Sequence, residues 1–363
     1  MSSRLPRRSF IHAAGTFALS PSLVSSTPRD WPPSEATGTP KLCLGTGANA
    51  TEKEMRRLRQ IGVDHVLMGG PPIPWAEADL RARVERFRAG GLTVANLMIS
   101  GFPDTLYGRP GRDEEIDKVN ASIRAAGRAG VPVVEYNFYS HRLTEGYYEE
   151  LGRAGAGMTA YNYDRSKDLP PLPEVGTHTL DEMWRNATYF LKAVVPVAEQ
   201  SGVRLALHPS DPPVPLSRGS GQIMATLEGW KRLVGIVDSP ANGITYDCGV
   251  TREMGEDPVE VCRYFGSRDR INHVHYRNVR VGRPSVEYTE VFPDEGEVDM
   301  FAVMKELVRQ KYSRALYPEH PRALDADREL PGFAPYYPGG GGYAGLVYNV
   351  AYTKAMLQAA LAS

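Results

Sequence analysis

Four segments in the second half of the sequence place a metal-ligating residue type at the end of an apolar run. The four residues are His208 in "VRLALHP", Asp247 in "ITYDCG", His275 in "INHVHYRN" and Glu319 in "YPEH". Imidazoles and carboxylates suit a divalent ion such as Mn²⁺, with Mg²⁺, Co²⁺, Fe²⁺ or Zn²⁺ as alternatives. Because the set contains no thiolate, a structural zinc site is disfavoured. The pattern predicts a metal site if the four runs are neighbouring strands.

From residue 41 onward, short apolar runs alternate with longer stretches that carry charges at helical spacing. The runs cover residues 41–48, 63–70, 92–99, 131–139, 203–209, 242–249, 271–278 and 315–321. Thr51 followed by Glu54 predicts a capping box at the first helix. Gly130 and Gly202 stand where two helices are expected to end. Eight strand–helix units predict an α/β fold, a single (β/α)₈ TIM barrel, rather than an open doubly wound sheet.

In such a barrel the carboxyl ends of all strands lie on one face, where barrel enzymes place their active sites. Since side chains alternate along a strand, we expect Asp247 to point into the barrel and Cys248 to point outward. By the same rule, His273 and Arg277 share the side of His275. The alternative is that each residue is satisfied locally, as a capping aspartate, a core histidine or a surface glutamate.

Two long connections are expected at this face of the barrel. One covers residues 140–178 and is rich in Tyr, Gly and Pro; the other covers residues 322–342 and ends "YYPGGGG". Connections in compact domains are usually about 2–6 residues long, and longer ones are usually functional. We interpret both segments as covers of the barrel mouth, either fixed or closing over a substrate.

The composition is that of an ordinary globular protein and excludes several function classes. Of 363 residues, 42% are hydrophobic and 23% charged, and the formal net charge is −1. The sequence has no basic stripe with interleaved aromatic residues, which argues against nucleic acid as a partner. It also has no apolar run of about 18 residues, the length typical of a membrane span. The cysteines Cys43, Cys248 and Cys262 are odd in number and lack C-x-x-C spacing, which argues against a disulfide framework.

The first residues have the layout of a secretory signal, with adjacent Arg7 and Arg8, a weakly apolar stretch and then small residues. The segment "RRSF" resembles a twin-arginine export signal. We therefore predict a signal at residues 1–28, a linker at 29–40 and a catalytic TIM barrel at 41–363. This organisation predicts a periplasmic or exported protein, and the alternative is a basic tail on a cytoplasmic one.

Several segments between residues 130 and 357 carry a family resemblance. They are "YNFY" (136–139), "FLKAVVPVAEQSGVRLALHPSDPP" (190–213), "ANGITYDCG" (241–249), "HYRN" (275–278), "GEVDM" (296–300), "PEH" (318–320) and the C-terminal "GYAGLVYNVAYTKAML". These segments resemble the mannonate dehydratase family, within the wider group of xylose-isomerase-like barrels. The resemblance implies a metal-dependent hydro-lyase that converts D-mannonate to 2-dehydro-3-deoxy-D-gluconate and water.

The resemblance also implies which residues hold the metal. The family's site would fall on His208, Asp247, His275 and Glu319. The family usually has a cysteine where this chain has Asp247, with Cys248 one position away, and an aspartate where it has Glu319. These departures make the ligand set richer in oxygen, so Mn²⁺ is the first choice, with Mg²⁺, Co²⁺ or Fe²⁺ as alternatives.

The remaining implied roles concern the substrate. His320 and Tyr343 would correspond to the family's acid/base pair, which removes a proton next to the carboxylate and protonates the leaving hydroxyl. Tyr343 follows four glycines, which suggests a segment that closes over substrate. Arg277 would bind the substrate carboxylate as a planar, bidentate partner, and Asn137 is a candidate for binding a hydroxyl.

Two other functions remain open from the sequence. A sugar isomerase or epimerase could use the same metal barrel, but it need not bind a carboxylate and so leaves Arg277 without a role. A sugar-binding protein would bind without turnover and would leave four strand-end ligands unexplained. The expected partner is a small sugar acid, with no nucleic acid and no membrane after signal removal, and a homo-oligomer remains open.

Overall fold

The computed structural model describes residues 38–363. The predicted export signal at residues 1–28 lies outside the described residues, as does most of the predicted linker at 29–40. Within the described part of the chain, no helix combines the length and apolar character that crossing a membrane requires.

Eight parallel strands close into a barrel, which confirms the predicted fold. In chain order they are β1 (Lys41–Gly45), β2 (His65–Gly69), β3 (Thr93–Ile99), β4 (Val133–Tyr136), β7 (Arg204–Leu207), β10 (Asn242–Asp247), β11 (Ile271–His275) and β14 (Ala315–Tyr317). Each strand pairs with the preceding and following barrel strand. The barrel closes where β1 pairs with β14, with Lys41 opposite Ala315.

Helices surround this barrel in the predicted alternation. They are α1 (Glu52–Gln60), α2 (Glu77–Ala89), α3 (Pro103–Tyr107), α4 (Arg112–Ala129), α5 (Leu180–Gln200), α6 (Leu227–Ile236), α7 (Cys248–Glu253), α8 (Pro258–Gly266), α9 (Met300–Arg309), α10 (Asp325–Arg328) and α11 (Tyr343–Ala362). Three of them, α3, α7 and α10, are short additions in loops that follow barrel strands.

The predicted helix ends are confirmed. At the start of α1, the backbone N–H of Thr51 donates to Oε2 of Glu54 at 2.7 Å, and the Glu54 N–H donates to Oγ1 of Thr51 at 3.3 Å. Gly130 follows α4 with a φ of 80°, and Gly202 ends the turn after α5 with a φ of 66°. Glycine adopts this left-handed conformation without the penalty that a Cβ atom brings.

The main hydrophobic core lies between the strands and the surrounding helices. Leu44, Phe87, Ile123 and Trp230 are completely buried there. Each such side chain contributes about 1.5–3 kcal/mol through its removal from water. Alternation along β1 sends Cys43 to the opposite side, into a small cluster inside the barrel.

An antiparallel sheet is added at the barrel mouth, and the sequence pattern did not reveal it. It contains β5 (Tyr147–Leu151), β6 (Gly157–Asn162), β12 (Asn278–Arg283) and β13 (Glu287–Val291), in the order β12-β13-β6-β5. A short hairpin of β8 (Leu216–Ser217) and β9 (Ser220–Gly221) lies in the loop after β7. The first long connection therefore supplies two strands. The other two lie where β11 was expected to lead directly into the next helix.

Candidate metal centre

The structure brings the four predicted ligands together at the carboxyl ends of neighbouring strands. Asp247 and His275 are the last residues of β10 and β11, while His208 and Glu319 follow β7 and β14. Nδ1 of His275 lies 3.3 Å from Nε2 of His208. The same atom lies 3.0 Å from Oε1 of Glu319 and 3.9 Å from Oδ2 of Asp247. Potential metal ligands at three other strand ends thus lie within 3.9 Å of Nδ1 of His275.

The orientation of these side chains fits a divalent cation. Nδ1 of His208 lies 2.7 Å from the carbonyl oxygen of Pro209, so this nitrogen carries the proton and Nε2 faces the other ligands. Metal-binding histidines usually donate their second ring N–H in this way. Oε1 of Glu319 is buried and makes no hydrogen bond within the described residues, although His275 is close. The donor set and this oxygen, which accepts no hydrogen bond from the described residues, both fit a bound ion.

The charges of the site favour a cation at the same point. Burial alone would lower the pKa of His275, but the carboxylates of Glu319 and Glu135 outweigh it and raise the pKa to about 9. The site therefore stabilises positive charge where the ligands meet. A bound metal ion would take the place of that proton.

Arg277 does not lie where the sequence suggested. It is 3% exposed and does not line the cavity. Its Nε lies 3.0 Å from Oδ2 of Asp247 and 3.3 Å from Oε1 of Glu319, and its Nη1 donates to Oε1 of Glu253 at 2.6 Å. The expectation that Arg277 binds the substrate carboxylate is not met, because buried carboxylates of the protein already surround its guanidinium.

A cavity of about 600 Å³ opens beside the metal ligands. Asn137 lines it from the end of β4, as expected, with its amide 3.8 Å from Sδ of Met98. Both long connections contribute to its wall, Arg142 from the first and Tyr337 from the second. The predicted covers of the barrel mouth therefore form the wall of this cavity.

His320 faces the cavity in a fixed orientation. Its Nδ1 lies 2.9 Å from Oε2 of Glu290, a residue of β13, and its Nε2 lies 3.4 Å from Oε2 of Glu319. Burial opposes protonation, but Glu290 and Glu319 outweigh it and raise the pKa of His320. The backbone φ of His320 is 45°, a strained value for a residue with a side chain. Such strain is often found at functional positions.

Tyr343, the predicted partner of His320, is not brought into this cavity. It is the first residue of α11, and its hydroxyl donates to the backbone carbonyl of Arg57 at 3.0 Å, in a separate surface pocket. Its position is fixed because the carboxylate of Asp327 accepts N–H groups of Gly342, Ala344 and Gly345 at 2.8–3.0 Å. The helix therefore begins immediately after the glycines and turns Tyr343 toward α1.

Tyr337 occupies the place that was expected for Tyr343. Its ring centroid lies 5.3 Å from that of His320, and its hydroxyl bonds to Nη1 of Arg142. Nη2 of Arg142 donates to Oδ2 of Asp211 at 2.9 Å. Asp211, Glu290 and His320 also approach one another. Because Arg142 already pairs with Asp211, we interpret this group as an ion-pair network.

The site residues that were not predicted differ in how far the sequence pattern pointed to them. Asp211 lies in the quoted "LALHPSDPP" segment, three residues after a predicted ligand. Tyr337 lies in the segment "YYPGGGG". The sequence does not distinguish it from its neighbour Tyr336, which is 87% exposed. Glu290 had no signal, because it reaches the site on a strand that was not predicted.

Comparisons with known proteins agree with this geometry. A family model described as D-mannonate dehydratase (UxuA) matches residues 173–360. A mannonate dehydratase of Thermotoga petrophila is 30% identical over 321 residues, which cover 78% of this chain and 89% of the relative. A mannonate dehydratase of Streptococcus pneumoniae is 32% identical over 259 residues, covering 64% and 70%.

Solved structures show the same fold. The crystal structure of mannonate dehydratase from Streptococcus suis serotype 2 superposes with a TM-score of 0.78 at 26% identity, covering 89% of this chain and 95% of that one. D-Psicose 3-epimerase from Clostridium cellulolyticum H10 reaches a TM-score of 0.57 at 13% identity, covering 88% and 99%, and shares the fold alone. Together with the sequence relatives, these matches show that the chain belongs to the mannonate dehydratase family.

Proposed function

We propose that this chain is a metal-dependent hydro-lyase that converts D-mannonate to 2-dehydro-3-deoxy-D-gluconate and water. The observation that carries the proposal is that the group of His208, Asp247 and His275, joined by Glu319, lies beside His320 where the cavity opens. Family membership supports the choice of substrate. The carboxylate of a sugar acid can bind a metal ion, and the proton on the neighbouring carbon is weakly acidic. The candidate metal ligands suit the first property, and His320 suits removal of that proton.

The ion would be held by His208, Asp247, His275 and Glu319. When bound, it supplies a Lewis acid that stabilises the negative charge developing at the acid end of the substrate. Two carboxylates and two imidazoles, without a thiolate, favour Mn²⁺ over softer ions.

Side chains on the cavity wall would orient the substrate. Asn137 offers an amide whose only hydrogen-bond neighbour among the described residues is the sulfur of Met98. Arg142 is partly exposed to the cavity and takes over the carboxylate-binding role that the sequence suggested for Arg277. Its guanidinium has a fixed direction because it also bonds to Asp211 and Tyr337.

His320 and Tyr337 are the candidates for proton transfer. Glu290 accepts the Nδ1–H of His320, so the neutral ring takes up the substrate proton at Nε2, beside Glu319 at the cavity, and returns it to Tyr337 after water has left. Burial raises the pKa of Tyr337 despite the neighbouring Arg142, so its hydroxyl stays protonated and donates to the leaving hydroxyl of the substrate. Such positioned groups typically contribute about 10²–10⁴-fold in rate.

The test is turnover of D-mannonate by chelator-stripped protein with and without Mn²⁺, followed through 2-keto acid formation. We expect product only with added metal, and we expect His208→Asn to abolish it. The matched control is His178→Asn, because His178 stacks on Tyr107 outside the cavity. Stoichiometric Mn²⁺ binding without keto acid would contradict the dehydratase and favour the isomerase or epimerase, whose product would be visible by NMR.

We also propose that residues 1–28 direct export by the twin-arginine route. The pair Arg7–Arg8 and the following apolar stretch support this proposal. N-terminal sequencing of protein from fractionated cells tests it. An intact N-terminus in the cytoplasmic fraction alone would contradict it.

A further inference from the structure

A second group of metal-ligating residues lies inside the barrel, next to the predicted metal centre. It contains Glu135 of β4, His273 of β11 and the inner edge of His275. One ligand atom from each lies within 4.8 Å of the others. Glu135 and His273 are 1% and 0% exposed. His275 belongs to both groups, because its Nε2 lies 3.6 Å from Oε1 of Glu135 while its Nδ1 faces the outer ligands.

The hydrogen bonds of this inner group are incomplete. Glu135 accepts from the amide of Asn96 and the hydroxyl of Thr245, both at 2.7 Å, and neither donor carries a positive charge. Within residues 38–363, both ring nitrogens of His273 and Nε2 of His275 have no hydrogen-bond partner. A buried polar group left in this state costs about 1–3 kcal/mol. Three such nitrogens beside a buried carboxylate therefore indicate that an ion or molecule binds between them.

We propose that Glu135, His273 and Nε2 of His275 bind a second divalent cation. A cation compensates the carboxylate charge and satisfies one nitrogen of each imidazole at the same time. Once the outer ion has replaced the ring proton of His275, a water molecule would satisfy the nitrogens, but it would leave the buried charge of Glu135 without a neighbouring cation in the inner group. Two imidazoles and one carboxylate suit Mn²⁺, Fe²⁺, Co²⁺ or Zn²⁺. Access is available from the substrate side, since Glu135 and His275 both line the cavity.

The inner ion would be coupled to the outer one through a single ring. With both bound, His275 bridges them through Nδ1 and Nε2, and both ring protons are released to solvent. Metal–nitrogen bonds of about 2 Å on opposite edges of an imidazole place the ions about 6 Å apart. Two Mn²⁺ ions at that separation give a spin-coupled electron paramagnetic resonance spectrum, which a single ion cannot give.

The experiment titrates the chelator-stripped full chain with MnCl₂ and measures bound Mn²⁺ per chain by elemental analysis and by paramagnetic resonance. We expect two ions and a coupled spectrum for the native sequence, and one ion with an uncoupled spectrum for His273→Gln. His65→Gln is the matched control, since His65 begins β2 at the opposite end of the barrel and should leave two ions.

Circular dichroism checks that each variant is folded. If His273→Gln does not fold, Glu135→Gln provides the second variant, with the same expected loss of one ion. A native stoichiometry of one ion at saturating Mn²⁺, without spin coupling, would overturn the inner site. So would two retained ions in the folded variants. Turnover of D-mannonate by protein with one ion would keep the proposed function while removing the inner site, so the two failures are distinguishable.

Discussion

Replacing Arg277 by Met tests whether this arginine stabilises the metal centre or binds substrate. The guanidinium is buried against two outer-ligand carboxylates, Asp247 and Glu319, and against Glu253. Methionine keeps much of the side chain's volume and removes the charge. The carboxylates then remain buried next to one another without their shared cation.

The expected loss in the free energy of unfolding is about 3–5 kcal/mol, the range found when one partner of a buried ion pair is removed. The contacts support this size. Nε and Nη1 make two hydrogen bonds to carboxylates, to Asp247 at 3.0 Å and to Glu253 at 2.6 Å. Hydrogen bonds to charged groups are worth about 1.5–3 kcal/mol each. Such a loss is a large part of the total stability of about 5–15 kcal/mol that is typical of a domain.

The assay is urea denaturation of chelator-stripped protein, with the native sequence and Arg277→Met compared at the same pH. Saturating Mn²⁺ should recover part of the loss, because the ion places positive charge between Asp247 and Glu319. The matched control is Arg59→Met. Arg59 pairs with Asp64 at 3.3 Å, but the two side chains are 51% and 63% exposed. Exposed pairs contribute about 1 kcal/mol or less, so this variant should unfold almost like the native chain.

One result would refute the reasoning. If Arg277 binds the substrate carboxylate, Arg277→Met would raise KM for D-mannonate and leave the free energy of unfolding within about 1 kcal/mol of the native value. The predicted pattern is the reverse, with a large loss of stability that is measurable without substrate.

Three further predictions concern single side chains. Tyr337→Phe should lower kcat by about 10²-fold or more, as for loss of a proton donor, whereas Tyr343→Phe should leave steady-state rates nearly unchanged; equal losses in both would contradict the assignment. Asp327→Asn should lower the free energy of unfolding by about 2–3 kcal/mol, because one oxygen of a charged cap on three N–H groups is lost, and an unshifted urea midpoint would argue against this cap. Thr51→Ala should cost about 1 kcal/mol in the same assay, since it removes the capping box of α1, and a Thr51→Ser variant should retain most of that stability.

The order of strands and helices in the barrel could be predicted from the sequence because it depends on local patterns. Apolar runs, the capping box at Thr51 and the glycines after helices report the conformation of neighbouring residues. Once eight units are recognised, parallel pairing places all strand ends on one face. The convergence of His208, Asp247, His275 and Glu319 follows from that geometry, and their measured separations agree with it.

The tertiary structure decided which other side chains reach the site. Glu290 lies on an inserted antiparallel strand, β13, which pairs with β6. Its partner there is Thr159, a residue far away along the chain. Arg277 lies two residues after His275, as expected for a residue on the same side of the strand. Its guanidinium, however, binds the carboxylate of Glu253 on α7 inside the protein. Tyr343 follows a glycine run that suggested a lid, and the cap from Asp327 instead fixes it at the start of α11. Local pattern thus determined the barrel and the strand-end residues of the candidate metal centre, whereas contacts between residues far apart in sequence determined which other side chains face the cavity.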